Sequence, residues 1–187
     1  MGESVEIYVD VSCEGSVGRG GWGCALEGGG KTLQLSGGFR RTTSNRVELR
    51  AIIEGLKALK KDGLAVTVFT DNKWLADMFN QGNVAKWRAK GWMRTPTHPI
   101  VHADLWNALM DQCAKHHVQI RVTPKECAEK SLTGITELAV CARKNADLPL
   151  DDGYENPRLP ATENDGYDFF GDDCADVGVT NSSESER

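Results

Sequence analysis

Val5-Glu6-Ile7-Tyr8-Val9-Asp10-Val11, then Trp22-Gly23-Cys24-Ala25-Leu26, then Thr32-Leu33-Gln34-Leu35-Ser36 is the stretch that decides the fold. The first segment alternates polar with apolar, β-branched residues, the period-two signature of a strand. A glycine-rich loop with Gly15, Gly18, Gly20 and Gly21 leads into the second segment. Gly28-Gly29-Gly30 separates the second from the third and supplies the positive φ angles a hairpin needs. Three consecutive antiparallel strands are expected.

Beyond them the period changes. Thr42, Thr43 and Ser44 offer N-cap hydroxyls before an amphipathic helix over about 44–61, with apolar Val47, Leu49, Ile52, Ile53, Leu56 and Leu59. Gly63 ends it, and Ala65-Val66-Thr67-Val68-Phe69-Thr70 reads as a short buried strand. A helix from Asp71 or Asn72 to about 80 follows, then a basic, aromatic insert over 83–94. A further helix spans about 101–115, a fifth strand 118–122 and a last helix 132–145. The order β-β-β-α-β-α-(insert)-α-β-α predicts an α/β fold, a five-stranded mixed sheet with helices on both faces.

Charge divides the chain. Residues 1–148 hold 20 Lys and Arg against 16 Asp and Glu, a net +4, whereas 149–187 hold 2 against 11, a net −9. The reading is one domain over 1–148 and a largely disordered acidic tail over 149–187. That tail is read as a solvated extension, an interaction segment, or an electrostatic mimic of nucleic acid. No run of ~18 apolar residues is present, so no membrane span is expected. The N-terminus lacks a basic stretch and apolar core of a secretory leader, which predicts a cytosolic protein. A monomer is the expected state. Cysteines 13, 24, 113, 127, 141 and 174 show no C-x2-C spacing, so buried reduced thiols are expected over disulfides or a metal site.

Three acids occupy telling places. Asp10 sits near the end of the first strand, Glu48 on the first turn of the first helix, and Asp71 directly after the fourth strand. An acid ending a buried strand is costly unless solvated, paired or bound to metal. If strands one and four are neighbours, Asp10 and Asp71 emerge side by side and Glu48 reaches them from the helix above. Such a cluster suits Mg²⁺ or Mn²⁺, which take hard oxygen ligands. The plainer reading of each acid alone is a cap or first-turn charge favoured by the helix dipole. His98 and His102 are four apart and His116-His117 adjacent, but no nearby acid or thiol completes a zinc set. They are read as surface or cap histidines.

The wording around the acids carries a resemblance. Ile7-Tyr8-Val9-Asp10-Val11-Ser12-Cys13, Gly20-Gly21-Trp22-Gly23, Thr42-Thr43-Ser44-Asn45-Arg46-Val47-Glu48-Leu49 and Phe69-Thr70-Asp71-Asn72 are similar to type 1 ribonuclease H. Lys86-Trp87-Arg88-Ala89-Lys90-Gly91-Trp92 and Asp104-Leu105-Trp106 extend the match across about 5–147. The resemblance implies a metal-dependent endoribonuclease that cleaves the RNA strand of RNA–DNA hybrids with two divalent ions. It implies that Asp10 bridges both ions and that Glu48 and Asp71 hold the one at the leaving group. It assigns substrate contacts to Ser12, Cys13, Thr43, Ser44, Asn45 and Asn72. Asn45 would lie in the minor groove, where the 2′-hydroxyl marks RNA; Ser44 stands where the family usually has Asn. Lys86, Arg88, Lys90 and Arg94 would meet phosphates from a protrusion anchored by Trp87 and Trp92.

The last part of the domain departs from that pattern. The family's loop His and fourth metal-binding Asp align with Glu126 and Thr136. Glu126 or Glu129, read here on a flexible loop, would have to swing in to supply the missing oxygen. Val11 also replaces the Gly that usually follows the first Asp. The alternative expectation is therefore a catalytically inactive nucleic-acid-binding or scaffold module on the same fold.

Overall fold

The structure, a computed structural model, describes residues 4–156, those of 125–133 by their backbone alone. The elements run β1 (Ser4–Cys13), β2 (Gly18–Gly28), β3 (Lys31–Thr42), α1 (Ser44–Lys57), β4 (Ala65–Thr70) and α2 (Lys73–Asn80). They continue with α3 (Asn83–Ala89), β5 (Met93–Thr95), β6 (His98–Pro99), α4 (Ala103–Cys113), β7 (His117–Val122), α5 (Lys125–Lys144) and α6 (Asp152–Glu155). The main sheet has five strands in the order β3-β2-β1-β4-β7, and β5-β6 form a small ribbon. β1, β2 and β3 are antiparallel; β4 runs parallel to β1, and β7 parallel to β4. This is the expected mixed α/β sheet.

Alternation along β1 sorts its side chains between two layers. Ile7 and Val9 join the large core that α1 and α4 complete, with Val47, Leu49, Ile52, Ile53, Leu56, Trp106 and Leu109 each no more than 1% exposed. Burying such a side chain contributes roughly 1.5–3 kcal/mol, so the helix that carries Glu48 is firmly seated. Tyr8 points the other way, stacks on Phe69 at 4.8 Å between ring centroids, and packs with Ala25 and Ile135 beneath α5. By the same period of two, Asp10 shares the α5 side with Tyr8.

Glycines in β2 set how close α5 comes. A Cβ on Gly21 would lie 2.2 Å from the Ala139 carbonyl oxygen, and one on Gly23 would lie 2.5 Å from that of Ile135. Backbone cannot yield as a flexible side-chain tip does. Gly23 pairs with Asp10 across the β1–β2 ladder, so this seat brings α5 over the end of β1. Gly23→Ala is expected to destabilise the fold by roughly 1–3 kcal/mol through overpacking, read from urea unfolding. An unchanged midpoint would show that α5 lifts without cost.

Several boundaries differ from the sequence reading. α1 stops at Lys57, because Lys60, Lys61 and Asp62 offer no apolar face and Gly63 takes a φ of +74°. α5 begins at Lys125, directly after Pro124, rather than at 132. Residues 125–132 are mostly strong helix formers. Glu126 and Glu129 thus stand on helical backbone, which corrects the expectation of a flexible loop there. The expected tail also starts differently. Arg40 N–H donates to the Pro149 carbonyl at 3.0 Å, α6 forms, and Asp151 is 2% exposed. Residues 149–156 are therefore packed structure; the rest of that segment, 157–187, lies outside the described residues, as does Cys174. Cys13, Cys24, Cys113 and Cys141 are free thiols, with Cys141 exposed rather than buried.

Candidate metal and nucleic-acid site

Parallel pairing of β1 with β4 reaches Tyr8 opposite Phe69, so Asp10 and Asp71 continue from adjacent strand ends. Asp10 is half-buried; its Oδ1 accepts from the Val11 N–H at 2.8 Å and its Oδ2 from the Thr136 hydroxyl. Glu48, only 3% exposed, accepts from the Thr70 hydroxyl and, at 2.8 Å, from the Asn72 amide. The same amide reaches Asn45 Oδ1 at 3.1 Å, while Asn72 Oδ1 caps α2 by accepting from Leu75 N–H at 3.0 Å. Asn72 is thus a joint between Glu48, Asn45 and the start of α2.

The acids are electrostatically coupled. Burial pushes Glu48 up to about 7, against the Thr70 and Asn72 hydrogen bonds that favour its ionised form, and Asp71 and Asp10 push it further. Asp71 is raised by burial and by Asp10. Among the described residues none of the three forms a salt bridge with a basic side chain. Three repelling carboxylates held by neutral donors and lacking a cationic partner have the donor chemistry of a hard divalent ion. No three His, Cys, Asp or Glu side chains among the described residues are gathered into a ready-made shell. Water and substrate phosphate would have to fill most of the coordination.

The expected substrate contacts surround this cluster. Thr43 is the N-cap of α1 but makes no side-chain cap bond, and its buried hydroxyl has no partner among the described residues. Ser44 is exposed and Asn45 half-buried. Ser12 and Cys13 are half-buried at the end of β1, and burial pushes the Cys13 thiol up to about 11. In the insert, Lys86, Arg88 and Lys90 are exposed, with Arg88 paired to Asp111 at 2.7 Å. Trp87 meets the fully buried Trp106 edge-on at 6.0 Å, and Trp92 packs on the core with a φ of +63°. Trp92 N–H donates to the Trp87 carbonyl and its own carbonyl accepts from Ile100 N–H, both at 2.8 Å.

One constellation escaped the sequence reading. Arg46, 2% exposed, forks onto Asp104 at 2.9 and 2.7 Å and onto Asp151 at 2.8 and 2.7 Å. Thr42 donates to Asp151 at 2.6 Å. Burial opposes the Arg46 charge, yet the bonds to Asp151 and Asp104 outweigh it and raise its pKa. The only signal was an arginine on the buried face of α1; its acids lie 58 and 105 residues away in sequence. The histidines also sort differently. His102, at the N-cap of α4, is driven down to about 4 by burial and Arg46, and His116 is buried rather than at the surface.

Residues 2–124 match the family model described as RNase H, a match that ends where α5 begins. A ribonuclease H of Rippkaea orientalis is 38% identical over 154 residues, covering 82% of this chain and 94% of its own. One of Pseudomonas entomophila is 44% identical over 118 residues, or 63% of this chain and 78% of its own. Among solved structures, LC9-RNase H1, a type 1 RNase H with the type 2 active-site motif, is similar at a TM-score of 0.66. It is 26% identical and the match covers 83% of this chain and 80% of that one. LC11-RNase H1 in complex with RNA/DNA hybrid shares the fold at a TM-score of 0.53 and 18% identity, over 74% of this chain and 98% of that one.

Proposed function

Because this chain belongs to the ribonuclease H family, we propose that it cleaves the RNA strand of RNA–DNA hybrids at the Asp10, Glu48 and Asp71 cluster. The observation that carries this reading is the mutual electrostatic coupling of Asp10, Glu48 and Asp71, none of which has a basic partner among the described residues. Mg²⁺ or Mn²⁺, held by Asp10, Glu48 and Asp71, would supply an activated water and stabilise charge on the departing oxygen. Thr70 and Asn72 hold Glu48 in one orientation and favour its ionised form. Asn72 also ties Glu48 to Asn45, so a strand read through its 2′-hydroxyls at Asn45 is registered against the carboxylates. Thr43, Ser44, Ser12 and Cys13 complete that wall, and Lys86, Arg88 and Lys90 meet phosphates.

Thr136 gives Asp10 a hydrogen bond but no negative charge. With Glu126 and Glu129 on helical backbone, substrate phosphate and water would have to supply the remaining oxygens to an ion held by Asp10, Glu48 and Asp71. No helix among the described residues is long and apolar enough to cross a membrane. A monomeric enzyme in the cytosol, where the free thiols stay reduced, is the setting that suits it. The non-catalytic alternative is not favoured, since the relatives carry the enzyme's name. The test is cleavage of a labelled hybrid in Mg²⁺ and separately in Mn²⁺. Asp71→Asn is expected to lose on the order of 10²-fold or more; wild-type cleavage no higher than this control would sink the proposal.

A further inference from the structure

The last described residues close over arginines. Glu155 takes Arg40 in a fork at 3.1, 3.3 and 2.9 Å, Arg41 lies over the Tyr154 ring at 5.7 Å, and Asp151 holds Arg46. These three arginines flank Thr43, Ser44 and Asn45, the stretch assigned to the substrate. Side chains from 151–155 thus already occupy positive groups that border the proposed path of a polyanion. Arg40 and Arg41 are otherwise exposed at the end of β3.

The chain is delivered to this corner with most of its negative charge still to come. Residues 157–187 hold eight Asp and Glu against two Arg, a net −6. Thirty-one residues reach up to about 100 Å when extended, against a radius of gyration of about 15 Å for a domain of this size. Lys86 and Lys90 are therefore within reach from Asn156. A tethered ligand acts at an effective concentration on the order of millimolar. Non-specific polyanion binding has dissociation constants of roughly 10⁻⁴–10⁻⁶ M, weak enough for such a competitor to suppress.

We infer that the acidic C-terminal segment, anchored through Asp151, Tyr154 and Glu155, competes intramolecularly with nucleic acid for the β3–α1 corner and for Lys86 and Lys90. The inference rests on the hybrid-cleaving reading of the same face. It makes substrate engagement dependent on out-competing the enzyme's own anion, which sheds weak complexes first. Rising salt screens both contests and removes the effect.

The experiment uses the full chain with the eight acids of 157–187 changed to Asn or Gln. The dissociation constant for an RNA–DNA hybrid is expected to fall about fivefold or more at 50 mM salt. That gap should close by about 300 mM, where the Debye length is near 6 Å. Amide spectra without nucleic acid should move at Arg41, Lys86 and Lys90 between the two proteins, while the remaining peaks report an intact fold. Equal hybrid affinity at low salt overturns the inference, as do shifts confined to another surface. If those amides move but neither protein binds hybrid above duplex DNA, the substrate reading fails instead, and the competition with it.

Discussion

Glu48→Gln is expected to abolish hybrid cleavage while flattening the dependence of stability on pH between about 4.5 and 7. In the folded protein Glu48 is raised from 4.5 to about 7, first by burial and then by Asp71 and Asp10, so the native state binds its proton more tightly than the unfolded chain. The resulting stability is fully present below the unfolded value and is lost as pH rises through the folded one. The shift bounds this loss at about 3 kcal/mol. Gln is nearly isosteric; its amide oxygen can accept from Asn72 and its NH₂ can donate to Thr70. The variant should therefore fold, titrate no proton in this window, and be at least as stable as wild type at pH 7.5. Cleavage should drop by on the order of 10²–10³-fold. Urea unfolding at pH 5 and 7.5, beside the hybrid assay, reads both effects. A variant that keeps the wild-type pH slope shows that Glu48 is not the coupled group. One that keeps activity shows that it is not part of the metal site.

That pairing of lost activity with gained stability follows from what the cluster is. Repulsion among Asp10, Glu48 and Asp71 is tolerated because Thr70, Asn72 and Thr136 supply hydrogen bonds without charge. Millimolar divalent ion should stabilise wild type by mass action and leave the variant nearly unmoved.

Local periodicity made much of this legible. The hairpins of β1–β3, the stripe of α1 and the apolar run of β4 each declare themselves within a dozen residues. The positions of Asp10, Glu48 and Asp71 at element ends followed from those boundaries. Whether they meet depended on β1 and β4 being sheet neighbours, a pairing across some 60 residues that periodicity does not encode. Gly21 reads as a loop residue and Gly23 as one more position of a strand, because a close approach by α5 from more than 100 residues away leaves no local mark. Arg46 was hidden for the same reason. Composition misled at the C-terminal end: 149–156 look like the acidic segment they begin, yet Asp151 has a buried partner waiting in α1.

Arg46→Ala should therefore be the most destabilising single change, costing about 3–5 kcal/mol as the loss of one partner from a buried ion pair does. Asp104 is 44% exposed and can turn to water, but Asp151 is 2% exposed and among the described residues would keep only Thr42. Most of the cost is thus an uncompensated buried carboxylate, not the lost attraction. It follows that Asp151→Asn in the Arg46→Ala background should recover at least about 1 kcal/mol, since a neutral amide is cheaper to leave half-satisfied. His102 offers an independent reading. Burial and then Arg46 hold it down to about 4. Removing the guanidinium should raise its titration midpoint, observed by NMR, because Asp104 and Asp151 then act on it unopposed. Function should follow the geometry: the clamp lies between Asn45 and Glu48 along α1, so the single variant should raise KM for hybrid more than it lowers kcat. A stability loss under about 1 kcal/mol, or a double variant no better than the single, would mean that the C-terminal segment rests on the domain without being held by Arg46.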